Sequence, residues 1–314
     1  MISSFCKEKL EEMTLMVQLQ PAFVSCLCVL HLLLSFMATF GNLLVIHAMW
    51  KASSIPATLR PLFLSLAFSD LAIGSCVEPA FAAILAVILH LAAKENFDLG
   101  PLCPSVTVSV FAAYSLLGVS FFTIAAIALD RLLAVFLHLR YQQLVTERRV
   151  AIGLVCLWLM SGLSTLAFMS IPSYNDLVAL VFQAAGLLVI SVAYFRIYKV
   201  VRYHQNQIQC QLQVQNDGAL EAARVRKSSL NAFYVYIIAL ACYLPSLIAG
   251  IPFLLDHLHI PSLVAYYLSA ILVFLNSTIN PLIYCWRYRE IRFTVKRTVK
   301  KIFPASHQMR NQLL

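Results

Sequence analysis

Long apolar stretches, separated by short polar segments, dominate this chain. Seven of them are long enough for a helix to cross a bilayer, which takes about 20 residues at 1.5 Å per residue. Their bounds are Ala22–Trp50, Pro61–Ala93, Leu99–Leu129, Val150–Ile171, Leu177–Phe195, Ser228–Leu255 and Ile260–Trp286. The alternating apolar and polar positions of an outer-membrane barrel do not occur in the sequence. The pattern therefore predicts an all-α fold, a seven-transmembrane helix bundle whose helices we call spans one to seven.

Composition supports a membrane location. A soluble domain is about 45–50% apolar and about 25% charged, whereas the 314 residues here are 61% hydrophobic and 12% charged. The first ~20 residues are too polar for a cleaved signal peptide, so span one is expected to serve as an uncleaved targeting signal. We divide the chain into an extracellular N-terminus (1–21), a transmembrane domain (22–286) and an amphipathic helix with a cytoplasmic tail (287–314).

The positions of the basic residues predict the orientation. Cytoplasmic segments of membrane proteins collect Lys and Arg. The first, third and fifth connecting segments and the C-terminal tail hold 20 of the 23 basic residues, whereas the other side holds only Lys7, Lys9 and Lys94. The N-terminus is therefore expected outside the cell and the C-terminus in the cytoplasm, in a multi-pass protein of the plasma membrane. The net charge of +9 reflects this topology and does not indicate a nucleic-acid partner.

The segment after span seven is amphipathic. Ile291, Val295, Val299 and Ile302 recur at helical spacing among basic residues. This pattern predicts a short helix on the inner leaflet, with its basic residues attracted to anionic membrane lipid.

A few polar residues lie inside the apolar spans, where they are costly unless they face the bundle interior. They are Asn42, Asp70, Ser120, Asn276, Ser277 and Asn280. One carboxylate among neutral oxygen ligands is a suitable site for a hard cation such as Na⁺. Hydrogen bonding between helices explains the same residues equally well, and the residues alone leave both interpretations open.

Two further features have a structural and a functional interpretation. Asp130 and Arg131 at the cytoplasmic end of span three are either a charge pair that sets topology or a switch in which Arg131 is held and released. Pro245 in span six and Pro281 in span seven each remove a backbone hydrogen bond. They produce local bends or serve as hinges between an outer ligand-binding half and an inner signalling half.

Seven motifs, each on its expected helix and in order, resemble those of rhodopsin-like (class A) G-protein-coupled receptors over nearly the whole chain. They are Gly41-Asn42, Leu66 to Asp70, Leu129-Asp130-Arg131, Trp158, Tyr194, Cys242 to Pro245, and Asn280 to Tyr284. The short N-terminus and second outer loop are most similar to the branch that holds adenosine, melanocortin and cannabinoid receptors.

The resemblance implies roles for individual residues. It assigns the sodium pocket to Asp70, Ser120, Asn276, Ser277 and Asn280. It implies that Arg131 contacts a heterotrimeric G protein once span six has moved outward. Tyr194 and Tyr284 match the tyrosines that turn inward on activation, and Tyr243 replaces the toggle tryptophan. It implies arrestin and receptor kinases as further partners, no enzyme activity, and no cofactor beyond an allosteric sodium ion.

The sequence also departs from the family pattern. Leu132 replaces the motif tyrosine, Gly186 replaces the usual proline of span five, and Val225 stands where many members carry an acid that pairs with the motif arginine. The second outer loop has no cysteine for the usual disulfide. Cys6 and Cys103 are therefore either bonded to each other or free thiols.

The ligand is expected in the outer half of the bundle, because cavities between helices are the usual ligand sites in bundles. Candidate pocket residues are Glu78, Tyr114, Leu117, Phe253, Tyr267 and Phe274. Ala113 stands where amine receptors carry an aspartate, which disfavours an amine ligand. The function expected is a receptor that converts binding of a small-molecule, lipid-like or short-peptide ligand into G-protein activation. The alternative is a multi-span transporter or channel that uses Asp70 as an ion site.

Overall fold

The structure is a computed structural model that describes residues 2–53, 55–92, 98–137, 140–170, 175–212, 219–255 and 259–302. Side chains are described for the same residues except 2–4, 135, 142, 175–176, 201, 204–212 and 219–235. The proposed departure at Val225 lies outside the described side chains.

Within these ranges the secondary structure is helical, which confirms the all-α prediction. The α-helices are Ile2–Leu19, Pro21–Lys51, Leu59–Ala72, Glu78–Leu91, Cys103–Leu137, Tyr141–Leu144, Glu147–Met169, Asn175–Leu212, Ala219–Leu255, Ile260–Arg287 and Arg289–Ile302. A π-helical turn, Ile73–Val77, joins the third and fourth of these helices, and a short 3₁₀ turn, Gly100–Leu102, precedes the fifth.

Seven helical segments are long and apolar enough to cross a membrane, as the sequence predicts. They are Pro21–Lys51, Leu59–Leu91, Gly100–Ala134, Glu147–Met169, Leu177–Val200, Tyr236–Leu255 and Ile260–Arg287, which we number as spans one to seven. The helices of spans three, five and six continue beyond their apolar parts. In span six the apolar part is described from Tyr236 onward, and the expected start at Ser228 lies outside the described side chains.

The bundle interior divides into two apolar clusters. The inner cluster joins all seven spans and the C-terminal helix, and it contains Phe121, Tyr194, Tyr243 and Tyr284. The outer cluster includes Phe5, Met13 and Met16 of the first helix, Ile2–Leu19, and these side chains are buried. The N-terminal helix therefore belongs to the core of the outer half, where the sequence predicted only an extracellular N-terminus.

Span two contains a local irregularity that decides how its outer half faces the bundle. The π-helical turn Ile73–Val77 inserts one extra residue, so every side chain beyond it is rotated relative to a regular helix. Ser35 of span one donates a 2.7 Å hydrogen bond to the Gly74 carbonyl. Spans one and two meet here at close range, since a Cβ on Gly74 would lie 2.8 Å from the Thr39 backbone nitrogen.

The C-terminal helix, Arg289–Ile302, packs beside span one. Ile291 is fully buried, whereas Phe293 and Ile302 are exposed among basic residues. The Ser53 backbone N–H donates a 3.1 Å hydrogen bond to Glu290 Oε1, which fixes the start of this helix to the end of span one.

Replacing Gly74 with alanine should destabilise the bundle. The new methyl group would collide with the Ala38 side chain and the Thr39 backbone of span one, and overpacking of this kind costs about 1–3 kcal/mol. We expect Gly74→Ala to lower the melting temperature of the purified protein by several degrees. Gly153→Ala is the control, because nothing lies within 4 Å of a Cβ there. Equal melting temperatures for the two variants would contradict this account of the contact.

Candidate functional site

The Asp70 carboxyl lies at the centre of the bundle with no exposed surface. The Ser120 hydroxyl of span three donates a 3.0 Å hydrogen bond to Asp70 Oδ1, and Asn280 Nδ2 of span seven donates a 2.8 Å bond to Oδ2. Within the described part of the chain, no Lys, Arg or His side chain comes within 4.0 Å of this carboxyl. Three spans therefore meet at one acidic group that has hydrogen-bond donors and no protein cation.

Several buried polar atoms on the neighbouring helix faces make no hydrogen bond to any described residue. They are Asn42 Oδ1, Thr123 Oγ1, Tyr243 Oη, Asn276 Nδ2, Ser277 Oγ and Tyr284 Oη. Ser277 lies three residues before Asn280 in span seven and so shares its face. Buried polar groups are normally paired with protein or water, so the oxygens among these atoms are suited to bind water or a cation, and the Asn276 amide nitrogen is suited to donate to water. The donor set fits sodium, which prefers oxygen ligands.

Span one joins this cluster through Asn42. Its amide nitrogen donates hydrogen bonds to the Ala38 carbonyl at 2.8 Å and to the Ser277 carbonyl of span seven at 3.0 Å. The expected sodium-pocket residues thus fall into two groups. Asp70, Ser120 and Asn280 bond to each other directly, whereas Asn276 and Ser277 are buried nearby on span seven with unpartnered polar atoms.

At the C-terminal end of span three, Asp130 binds two partners. One carboxylate oxygen accepts hydrogen bonds from the Arg131 guanidinium, including a 3.0 Å bond from Nε. The other accepts a 2.6 Å bond from the Tyr141 hydroxyl, which lies 3.0 Å from the Thr58 hydroxyl. Burial and the bond to Asp130 raise the pKa of Tyr141, so its hydroxyl stays protonated and continues to donate at neutral pH.

The inner mouth of the bundle is nearly closed. The cavity there has a volume of only about 40 Å³ and is lined by Arg131, Tyr194, Asn280 and Tyr284, among others. The Tyr284 ring lies 5.0 Å from the Phe63 ring. Among the described side chains, this cavity is too small for a partner to enter between the spans.

The residues expected to switch are connected by aromatic contacts. The Tyr243 ring lies 4.6 Å from Phe121 of span three, and the Tyr194 ring lies 5.4 Å from Tyr236 of span six. Gln183 of span five donates a 2.7 Å hydrogen bond to the Tyr243 carbonyl, two residues before the helix-internal Pro245. Pro281 of span seven lies against Gly41 of span one, where a Cβ would be 3.1 Å from the proline ring.

In the outer half, Glu78 pairs with a residue that the sequence analysis did not identify. His31 Nδ1 shares a short hydrogen bond with Glu78 Oε2, and both side chains are buried. The rings of Phe81 and Phe274 lie 5.8 and 5.5 Å from the imidazole. The π-helical turn just before Glu78 turns its side chain toward span one. The signal available in the sequence was a histidine in the outer half of the apolar span one, which also contains His47.

The N-terminal helix covers the outer mouth of the bundle. A disulfide joins Cys6 to Cys103 at the start of span three. Lys9 forms a 3.2 Å ion pair with Glu12, both nearly inaccessible, and its ammonium lies 5.4 Å from the centre of the Phe253 ring. Phe253 in turn stacks on Tyr266 at 4.2 Å. The N-terminal helix is therefore held by a covalent bond and by packing.

Four of the six expected pocket residues line two cavities of different size. Leu117, Phe253 and Phe274 line an outer cavity of about 110 Å³, whereas Tyr114 and also Leu117 line a larger one between spans three, four and five. Tyr267 packs its ring edge-on against Tyr266.

Comparison with known proteins identifies the family. A family model described as the seven-transmembrane receptor (rhodopsin family) matches residues 41–177. Adenosine receptor A2a of Homo sapiens is 27% identical, with 90% of this chain and 72% of that receptor covered. Melanocortin receptor 4 of Danio rerio is 25% identical, with 84% and 81% covered. The chain belongs to the rhodopsin-like receptor family. Adenosine receptor A3 of Ovis aries is also similar, at 25% identity with 84% and 86% covered.

Membership of the rhodopsin-like family confirms the function expected from the motifs. The protein is a G-protein-coupled receptor of the membrane, and neither a transporter nor an enzyme is favoured. The family also supports a G protein and a small-molecule or peptide ligand as its partners.

Removing one member of the His31–Glu78 pair should cost more stability than removing both. A single substitution leaves a buried polar or charged group without its partner, at about 3–5 kcal/mol, whereas an apolar pair leaves none. We expect His31→Leu and Glu78→Leu each to lower the melting temperature of the purified receptor more than the double variant does. His90→Leu is the control, because His90 is exposed on span two. Additive losses in the double variant would contradict the pairing.

Proposed function

We propose that this receptor lies in the plasma membrane with residues 1–21 outside and residues 287–314 in the cytoplasm, on either side of a receptor domain at 22–286. The distribution of 20 of 23 basic residues on one side supports this orientation. A ligand that binds in the outer half shifts the population of the bundle from an inactive to an active packing. The active packing then engages a heterotrimeric G protein, and arrestin and receptor kinases act on the same inner surface.

The observation that carries this proposal is that Asp130 accepts hydrogen bonds from two side chains, Arg131 and Tyr141, at the inner mouth of the bundle. Asp130 holds the Arg131 guanidinium on one carboxylate oxygen and the Tyr141 hydroxyl on the other. Tyr141 in turn contacts Thr58 beside span two. Arg131 can meet a G protein only after it leaves Asp130, so these bonds stabilise the inactive packing. Outward movement of span six, hinged at Pro245, opens the space that Arg131 then enters.

Loss of the Tyr141 hydroxyl should raise basal signalling. Tyr141→Phe keeps the ring but removes the bond to Asp130, which is worth about 1.5–3 kcal/mol for a charged acceptor, so the inactive packing is less favoured. We expect a several-fold higher basal signal in transfected cells, read by cAMP and calcium together.

Two variants serve as controls for this measurement. Tyr198→Phe should leave the basal signal unchanged, because its exposed hydroxyl bonds to Arg202 and not to Asp130. Arg131→Ala should abolish the increase when it is combined with Tyr141→Phe. A basal signal that persists in that combination would overturn the coupling role of Arg131.

We further propose that the Asp70 pocket holds a sodium ion in the inactive packing. The buried carboxyl without a protein cation and the unpartnered oxygens of Ser277 and Tyr243 support this assignment. A bound cation would neutralise the carboxylate and fill the space among spans two, three and seven. Asp70 supplies the charge, whereas Ser120, Asn276, Ser277 and Asn280 are suited to supply neutral ligands directly or through water.

Asp70→Asn should remove the dependence of the receptor on sodium. A ligand that binds only the folded protein stabilises it in proportion to the logarithm of its concentration. We therefore expect the melting temperature of the purified receptor to rise when sodium chloride replaces choline chloride at equal ionic strength. The rise should disappear in Asp70→Asn and persist in Asp98→Asn, which removes an acid near the outer surface. A sodium-dependent rise that survives Asp70→Asn would rule out this site.

A further inference from the structure

A large cavity between the spans overlaps the pocket that the sequence predicts only at Tyr114 and Leu117. It has a volume of about 740 Å³ and is bounded by spans three, four and five, with Tyr243 and Val273 at its inner wall. This volume falls within the range of about 300–1,000 Å³ that is typical of small-molecule sites. None of its lining residues is charged, and a charged group would be costly to bury there without a partner.

The cavity opens sideways toward the membrane. Met160 of span four and Phe182 and Val189 of span five line it, yet they are 61, 46 and 42% exposed on the outside of the bundle. All three lie within apolar spans, so the surface they expose faces lipid. The Phe168 and Phe182 rings, 5.6 Å apart, bridge spans four and five. The entrance therefore lies between these two spans.

Small residues create the space. Gly118 and Ala126 of span three and Ala185 and Gly186 of span five line the cavity. At Gly186 the Phe121 ring occupies the place of a side chain, since a Cβ there would collide with the ring.

The polar groups of the cavity favour a ligand head that donates hydrogen bonds. The Ser161 hydroxyl donates to the Ser115 carbonyl, and the Thr165 hydroxyl donates to the Ser161 carbonyl. Each hydroxyl has used its proton but can still accept a bond. Both residues lie toward the outer end of span four, whereas Leu129 at the other end of the cavity is apolar. The lining thus has the polarity of an amphiphile whose head lies near the outer interface.

An occupant of this cavity would contact the switch directly. Phe121 forms part of the wall and lies 4.6 Å from Tyr243. Gln183, also in the wall, donates hydrogen bonds to the Tyr243 carbonyl at 2.7 Å and to the Ser246 hydroxyl at 2.6 Å. Pressure on Phe121 or a new bond to Gln183 would therefore act on span six beside Pro245.

Access to the bundle from outside the cell is more obstructed than access from the bilayer. The N-terminal helix covers the outer mouth and is bonded to span three through Cys6 and Cys103. The cavity beneath that mouth has only about 110 Å³. A ligand from the bilayer meets an open entrance, whereas a ligand from the aqueous side has to displace the N-terminal helix.

We propose that the receptor's ligand is a neutral single-chain lipid with a hydroxyl or amide N–H head, which enters from the bilayer between spans four and five and binds in this cavity. The inference rests on the proposed receptor function and names its ligand class. The uncharged lining selects a neutral molecule, the accepting hydroxyls of Ser161 and Thr165 select a donating head, and the apolar inner end takes the chain.

Binding of tritiated monooleoylglycerol to the purified receptor in nanodiscs tests the proposal. Ala185→Phe places a ring at the entrance and should weaken binding at least about tenfold, or about 1.4 kcal/mol. Ala167→Phe makes the same change at an exposed position of span four that does not line the cavity, and it should bind like the parent receptor. Equal binding by the two variants, at matched melting temperatures, would overturn the site.

Competing lipids test the chemistry of the head. Unlabelled monooleoylglycerol should displace the probe, whereas methyl oleate, which has no donor, and oleate, which is charged, should compete at least about tenfold less well. Equal competition by either one, or displacement by cholesterol alone, would reject the ligand class. Cys6→Ser frees the N-terminal helix, so an accelerated association rate in that variant would indicate entry from the outer mouth and reject the bilayer route.

Signalling separates this inference from the proposed function. Monooleoylglycerol should change the G-protein signal of the parent receptor and of Ala167→Phe but not of Ala185→Phe. A lipid that binds the cavity without changing the signal would overturn its role as the ligand. If Tyr141→Phe and Arg131→Ala alter nothing, the coupling mechanism fails, and the binding assay still decides whether the cavity takes the lipid.

Discussion

The buried Asp70 carboxyl is the constraint on which the arrangement of the bundle depends. An acidic group at membrane depth has no bulk water around it, so the protein has to provide its hydrogen-bond donors. Ser120 and Asn280 provide them from spans three and seven. Because each donor lies on a different helix, movement of either span relative to span two changes the solvation of the carboxyl. The carboxyl therefore stabilises the packing in which both donors reach it. In any other packing of the spans, another group in the pocket has to solvate it.

The same requirement explains the outer half of span two. The π-helical turn Ile73–Val77 disturbs the regular backbone hydrogen bonds, and the Ser35 hydroxyl bonds to the Gly74 carbonyl at that turn. The turn also directs Glu78 to His31, which gives a second buried acid its partner. The two buried acids of span two thus have different kinds of hydrogen-bond partner. Glu78 is paired with a titratable side chain of span one, whereas Asp70 has only neutral hydrogen-bond donors among the described residues.

The sequence predicted the features that follow from local composition. The seven spans follow from hydrophobicity, and the family follows from motifs on successive helices. The contact of Asp70 with Ser120 and Asn280 follows from the family resemblance. The π-helical turn could not be predicted, because it depends on the close approach of Gly74 to span one. The burial of the N-terminal helix depends on long-range packing against Phe253 and on the bond to Cys103, which no local pattern encodes.

Two departures from the family pattern are connected in space, and their connection relates the cavity to the switch. Gly186 leaves room for the Phe121 ring, and that ring lies against Tyr243, which stands where the family resemblance predicts a larger tryptophan. A proline at 186 would occupy the space that the ring now fills, because even a Cβ there would collide with it. The Tyr243 ring, which is smaller than a tryptophan ring, then packs against Phe121. Each substitution accommodates the other, so the link between the wall of the cavity and span six depends on both.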